Sequence, residues 1–237
     1  MGSTPELPGA PAPPPLPEVI EGRWLGRQKF DPVLARQHSA REALVAGTGP
    51  STILLVEHVP TLTLGRRGER QDVLWSAEVL NARGIDVCET PRGGQVTLHA
   101  PGQLVAYPII RIGWRVREHI VRLGRVAQRL FAELGVRDAE FRLEHPGVWV
   151  GPHKIASIGV HVSRGVTLQG IAMNLAVDPT LFGALVSCGM QDPVMRNAAD
   201  FGARPIALPD AATRWAELFV EDLGVPLRWA AEFGVVG

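Results

Sequence analysis

Cysteine and lysine are both scarce in this chain of 237 residues, at two of each. Two cysteines, Cys88 and Cys188, are too few for a disulfide framework or a cysteine-bound metal cluster, so no metal site is expected and a reduced, cytoplasmic compartment fits. No apolar run approaches the roughly 18–20 residues that span a bilayer. The start of the chain lacks the basic-then-apolar pattern of a secretory leader, and Glu6 stands where a myristoylation signal needs Ser or Thr. Neither export nor a membrane partner is therefore expected. Excess charge is missing too: 24 basic residues balance 24 acidic ones, so no whole-molecule field draws the chain to nucleic acid. Lysine is the more telling scarcity. All but Lys29 and Lys154 of the basic residues are arginines, and an ammonium can lose its proton near neutral pH where a guanidinium cannot.

Proline, by contrast, is concentrated: residues 1–17 hold seven of the 20 in the chain. Such a segment cannot enter a helix or a central strand and has little to bury, so residues 1–18 are expected to be an extended tail and residues 19–237 a single domain. A strand is predicted from Ile20 to Arg27. Asp31-Pro32 reads as a helix N-cap followed by proline at the first helical position, with Gly47 as the stop. Ser51 to Val56 is a nearly continuous apolar run, as in a strand buried on both faces. Val73 to Ala82 reads as a helix and Ile85 to Glu89 as a strand. Ile120, Leu123, Ala127, Leu130, Phe131 and Leu134 fall at helical spacing, closed by Gly135. From Gly147 to Val177 three strands, with turns at Gly151-Pro152 and Ser163-Arg164-Gly165, form an antiparallel meander. Asp210 to Leu223 is a last helix. Strands and helices mix without strict alternation, which points to an α+β fold of mixed sheets flanked by helices.

Three glycine-rich stretches and one cysteine carry chemical interest. The first runs from Glu57-His58-Val59-Pro60 to Leu64-Gly65-Arg66-Arg67-Gly68 and puts cations at the end of a buried strand, though a solvated loop would look the same. The second is Arg92-Gly93-Gly94-Gln95-Val96-Thr97-Leu98-His99-Ala100-Pro101-Gly102-Gln103. Its paired glycines let backbone N–H groups approach a phosphate or a carbonyl oxygen. The third joins Lys154-Ile155-Ala156-Ser157-Ile158-Gly159 to Gly170-Ile171-Ala172-Met173-Asn174. Its small residues leave room on a sheet face for an inserted group, or else mark tight packing. Cys188, between Ser187 and Gly189, suits an exposed nucleophile, although a single cysteine is more often an inert apolar residue. Cys88, within an apolar strand, is assigned that inert role.

Together these segments resemble the octanoyltransferase family of lipoate biosynthesis. They match its EH-x-P…T-L-G-R, RGG-x-V-T…H-x-PGQ, KIA-x-IG, G-x-A-x-N and x-CG elements, in the family's order, from Glu57 to Met190. The resemblance implies a fold similar to the catalytic domain of biotin and lipoate protein ligases. It implies Cys188 as the acyl-carrying nucleophile and Lys154 as the residue that activates it. Arg92–His99, Ser157–Gly159 and Gly170–Ala172 would line the acyl pocket, with His58 nearby in a positioning role. The implied donor is octanoyl-acyl carrier protein; the implied acceptors are lipoyl domains of 2-oxoacid dehydrogenase complexes and the glycine cleavage H protein. Leu62, Leu98, Ala100, Gln169 and Ser187 depart from the family's usual Tyr, aromatic, Gly, His and Pro. Those departures bear on the shape of the acyl pocket and not on the reaction.

The implied reaction is two acyl transfers, first to a thiol and then from the acyl-enzyme to a lysine amine. Thioester exchange is nearly isoenergetic, so neither ATP nor another cofactor is called for, and no Walker-type loop is present. A cysteine of pKa about 8.5 is only about 3% thiolate at pH 7. An ammonium within roughly 4–6 Å lowers that pKa by one to three units, and Lys154 can also carry the proton, as Arg cannot. Backbone N–H groups of Arg92–Gly94 or Cys188–Gly189 are the candidate oxyanion donors. Arg66, Arg67 and Arg70 would meet an acidic carrier at the rim. The rival readings are an ATP-dependent lipoate or biotin ligase, against which Cys188 and the absence of a further C-terminal domain speak, a cysteine thioesterase or amidase, and a non-catalytic acyl-binding protein.

Overall fold

The computed structural model describes residues 12–185 and 195–230. In chain order its elements are β1 (Ile20–Gln28), α1 (Phe30–Ala46), β2 (Ser51–His58), β3 (Thr61–Leu64), α2 (Ala77–Ala82), β4 (Asp86–Glu89), β5 (Val96–His99), β6 (Gln103–Ile109), α3 (Val116–Leu134), β7 (Glu140–Arg142), β8 (Gly147–Val150), β9 (His153–Ser163), β10 (Val166–Asn174), α4 (Leu208–Leu223) and β11 (Leu227–Trp229). The main sheet is ordered β11-β1-β2-β6-β10-β9-β8-β7, and a small one β4-β3-β5. β1 lies parallel to β2 and β11, and β3 parallel to β4; every other pairing is antiparallel. Both sheets are mixed and helices flank them, as the α+β reading expected. The β8-β9-β10 meander is present, and its hairpin turns through Arg164 and Gly165, both at positive φ, the twist that tight hairpins favour.

β2 is buried along its whole length, and its side chains divide by parity, as the period of a strand requires. Ile53 and Leu55, with Leu104 and Ala106 of β6 and Ile171 and Met173 of β10, pack under α3 and α4. Leu54 and Val56, with Val105, Tyr107, Leu168 and Ala172, face the other way, toward Val33 of α1. The α3–α4 side is closed by the stacked rings of Trp215 and Phe219, 5.1 Å apart. Asp222 at its rim takes Arg122 and Arg125 at 2.8 and 2.6 Å. Gly124 of α3 gives way to the Phe141 ring of β7; a Cβ there would lie 2.0 Å from Cδ2. Among the described residues no helix is long and apolar enough to cross a membrane.

Three local expectations change. α1 begins at Phe30 with Lys29 at its N-cap, so Asp31 sits in the first turn and makes no capping bond; Gly47 does end it, in the left-handed conformation. The helix expected from Val73 starts only at Ala77, because Ser76 caps it and Val73 is drawn into a bridge with Leu185. Cys88 lies not in a core strand but in β4, an edge strand whose other residues are exposed. Its thiol is nonetheless half-buried, and burial, aided by the nearby Asp31, raises its pKa to about 11.

Candidate active site

The glycine-rich stretches fold against one another as one unit. The N–H groups of Gly65, Arg66 and Arg67 donate to the carbonyl oxygens of Gln95, Arg92 and Gly94 at 2.9–3.1 Å. Gly65 has to be glycine, since a Cβ there would sit 2.5 Å from the Gly94 oxygen. Buried Arg92 fixes the unit to β3: its Nη2 donates to the Thr63 carbonyl and hydroxyl at 2.6 and 2.9 Å. The Gly93 N–H donates to the Val160 carbonyl at 3.1 Å, which ties the loop to β9 and removes Gly93 from the candidate oxyanion donors. A Cβ on Gly159 would meet Arg92 Cδ at 3.0 Å, and one on Gly170 the Ala106 oxygen at 2.2 Å. At these two glycines the space belongs to neighbouring chain, and Ala156 faces the α3–α4 core instead.

Between this unit and the β9–β10 strands lie two adjoining clefts. The outer one, about 630 Å3 counted to its mouth, is lined by Arg92 to Leu98, by Ser157 and Ile158, and by Lys154. Arg67, Glu144, His145, Pro146, Leu185 and Met195 complete its wall. The inner cleft, narrow and about 260 Å3 when counted likewise out to its mouth, is lined by Arg92, Thr97, His99, Ser157, Gly159 and Gly170 to Ala172, together with Val105, Tyr107 and Gln169. Every residue expected to line an acyl pocket borders one cleft or the other. Arg92, Thr97 and Ser157 border both and so mark the junction.

Lys154 is 4% exposed, whereas Lys29, the only other lysine, is exposed on the surface. A bulge in the β8–β9 pairing at this point re-aims the lysine, as bulges do. Its stem crosses β8 at Gly147, where a Cβ would lie 2.4 Å from Lys154 Cε, and its Nζ stands 5.2 Å from the centre of the Trp149 ring. In sequence Gly147 and Trp149 are strand residues and no more; their part in seating the lysine depends on a register that sequence does not show. Cys188 lies outside the described residues. The segment that holds it is flanked by residues anchored at the outer cleft. On one side Leu74 N–H donates to the Ala184 carbonyl (2.9 Å) and Val73 bridges to Leu185. On the other Met195 bridges to Lys154, and Arg196 N–H donates to the Lys154 carbonyl at 3.0 Å.

A buried polar network supports the inner wall. His58 Nδ1 is 3.1 Å from the Gln28 carbonyl, which can only accept, so this nitrogen carries the proton and Nε2 accepts from the Tyr107 hydroxyl at 3.0 Å. Burial pushes the His58 pKa down to about 4. His58 therefore stands behind the cleft, neutral, and touches it through Tyr107. His99 donates from Nδ1 to Gln103 Oε1 (2.8 Å), and Gln103 Nε2 donates to Asn174 Oδ1 (2.9 Å). Asn174 Nδ2 in turn donates to the Arg196 carbonyl at 3.1 Å. Burial, with the neighbouring His58, holds His99 well below its ordinary pKa. Glu57 anchors the Pro101-Gly102 turn: its Oε1 accepts from Gly102 N–H at 2.9 Å and its Oε2 from Arg27 Nε at 2.7 Å. Among the described residues no group of three or more His, Cys, Asp or Glu gathers as metal ligands would.

The family model of the lipoyl protein ligase A/B catalytic domain matches residues 31–220. An octanoyltransferase of Maridesulfovibrio salexigens is 37% identical over 81% of this chain and 85% of its own length. One of Acidobacterium capsulatum is 41% identical over 73% and 77%. Among solved structures, a lipoate-protein ligase A bound with ATP superposes with a TM-score of 0.69 at 16% identity, over 90% of each chain. A bipartite lipoate protein ligase from Thermoplasma acidophilum, described with its E2 lipoyl domain, gives 0.66 at 17% identity over 90% and 88%. At those identities the structural likeness speaks for the fold alone.

Proposed function

Because the chain belongs to the lipoyl protein ligase A/B catalytic domain family, among its octanoyltransferases, we propose that it moves an octanoyl group from acyl carrier protein to a lysine of a lipoyl domain through a thioester on Cys188. Membership makes it an acyltransferase of protein lipoylation. The covalent intermediate, the carrier-bound donor and the lipoyl domain and H protein acceptors are the finer reading. So are residues 19–237 as the catalytic unit.

One observation carries that reading. Lys154, buried at the outer cleft, is tied by backbone contacts to Met195 and Arg196, while Leu185, three residues before Cys188, borders the same cleft. A thiol delivered there meets an amine that stabilises its thiolate. The sulfur attacks the donor's carbonyl carbon, and the tetrahedral oxyanion takes backbone N–H donors from the Arg92–Gly94 loop, Gly93 excepted, or from Cys188–Gly189. Collapse expels the carrier's thiolate, which takes the proton that Lys154 holds. In the second half the acceptor amine attacks the acyl-enzyme, the C–S bond breaks, and the amine's proton passes to the Lys154 side chain. His58 and His99, neutral and hydrogen-bonded, position Tyr107 and Gln103 and take no proton.

The test is intact-mass measurement after incubation with octanoyl-acyl carrier protein. A single octanoyl adduct is expected, released by hydroxylamine, discharged by a lipoyl domain and absent from Cys188→Ala. Transfer that persists in Cys188→Ala would refute the covalent route.

A further inference from the structure

Gln169 combines three features that its place in a central strand does not require. It takes a positive φ of 62°, and Arg164, in a hairpin turn, is the other described non-glycine residue to do so. Its backbone N–H donates to Oε1 of Gln37, reaching in from α1, at 2.8 Å. Its side chain is 2% exposed, and the amide nitrogen finds no acceptor among the described residues. A left-handed glutamine and an unanswered buried N–H2 are each unfavourable. Strain and unmet hydrogen bonds of this kind persist where a site uses them. Gln169 borders the inner cleft, among Val105, Ile171 and Ala172. In the strand register it pairs with Val160, six residues along β9 from Lys154, and it lies beyond the junction of the two clefts at Arg92, Thr97 and Ser157.

A plain hydrocarbon tail would leave that donor unanswered. We infer that Gln169 is a specificity-determining residue whose carboxamide N–H donates to an acceptor atom, oxygen or sulfur, in the distal part of the acyl chain. The inference rests on the acyl-transfer reading above and deepens it by naming the class of chain the inner cleft prefers.

The experiment is a positional scan with octanoate analogues in which one methylene at a time is replaced by an ether oxygen. It is read twice, as calorimetric binding of the free acids and as transfer from the carrier-bound forms. In the wild type one or two adjacent distal positions should be favoured about two- to tenfold over the rest, the range of one neutral hydrogen bond. Gln169→Leu should lose that peak. Gln169→His, which keeps a ring N–H, should retain part of it. A flat wild-type profile, or a peak unchanged in Gln169→Leu, overturns the inference. The wild-type profile decides alone if the leucine variant does not fold. A peak in binding without any transfer would defeat the acyl-transfer reading and leave this assignment standing.

Discussion

The two faces of the main sheet are built by opposite rules. Beneath α3 and α4 the interior is apolar but for the neutral ring of His119, and charge is kept to the rim, where Arg122 and Arg125 meet Asp222. Beneath α1 and the glycine loops, polar side chains are buried and hydrogen-bonded: Arg92 to Thr63, His58 to Tyr107, and His99, Gln103 and Asn174 in a chain. A close-packed apolar core responds to changes in volume; a buried polar network responds to the loss of single atoms. The contrast teaches that stability and chemistry are separated across one sheet, and substitutions on the two faces should therefore fail in different ways.

Lys154→Met should bring the largest effect, a loss of about a thousandfold in kcat/KM for octanoyl transfer, within the range for a general acid–base group. Lys154→Arg should not rescue it, and the loss should appear in protein that circular dichroism shows to be folded. A fall in stability to match the fall in rate would break the comparison. Next is Gly147→Ala, whose Cβ meets the Ala156 oxygen as well as the lysine stem and so shifts both; a misplacement near 1 Å is worth about a hundredfold in kcat, measured on protein shown by circular dichroism to be folded.

On the opposite face Gly124→Ala should do the reverse. The new Cβ collides with Phe141, and overpacking should lower unfolding free energy by about 2 kcal/mol although alanine is the better helix former. Denaturant titration checks it, with kcat/KM per folded molecule unchanged. His119, at the same core, supplies a pH test. Both ring nitrogens lack partners among the described residues, and burial lowers its pKa to about 3. The unfolded chain takes up a proton below about pH 6.5 and the folded one does not, so stability is full above 6.5 and falls as pH falls toward 3. His119→Leu should reduce the loss between pH 7.5 and pH 5 by about 2 kcal/mol; an unchanged slope would place the acid sensitivity in His58 and His99. The smallest effect is expected at the rim. Charge reversal of the exposed Arg66 and Arg67 should raise KM for the carrier-bound donor several-fold, as rim charges do, while octanoyl-CoA turnover stays level.

Much of this is legible in the sequence alone. Continuous or alternating apolar runs placed β2, the β8-β9-β10 meander and α3, because burial writes its period into sequence. The residues that line the clefts are conspicuous because glycines, Arg92 and His99 crowd into short stretches, and it is the family resemblance that makes them candidates for an acyl pocket. What could not be read were contacts between distant segments. Gly147 looked like any strand residue until β9 laid Lys154 across it, and Gln37 like any helix residue until it met Gln169. Glu144 and His145 border the outer cleft through a loop with no sequence signal. The α2 boundary moved because Val73 pairs with Leu185, a tertiary contact that overrides helix propensity.

The central claim is that the Lys154 amine ionises the Cys188 thiol. The direct test is the pH dependence of iodoacetamide alkylation at Cys188, resolved from Cys88 by peptide mass, in the wild type and in Lys154→Met. The wild type should reach half-maximal rate at least one unit below the ordinary thiol value of about 8.5, and the variant should return to it. Superimposable profiles near 8.5 in both proteins would contradict the account.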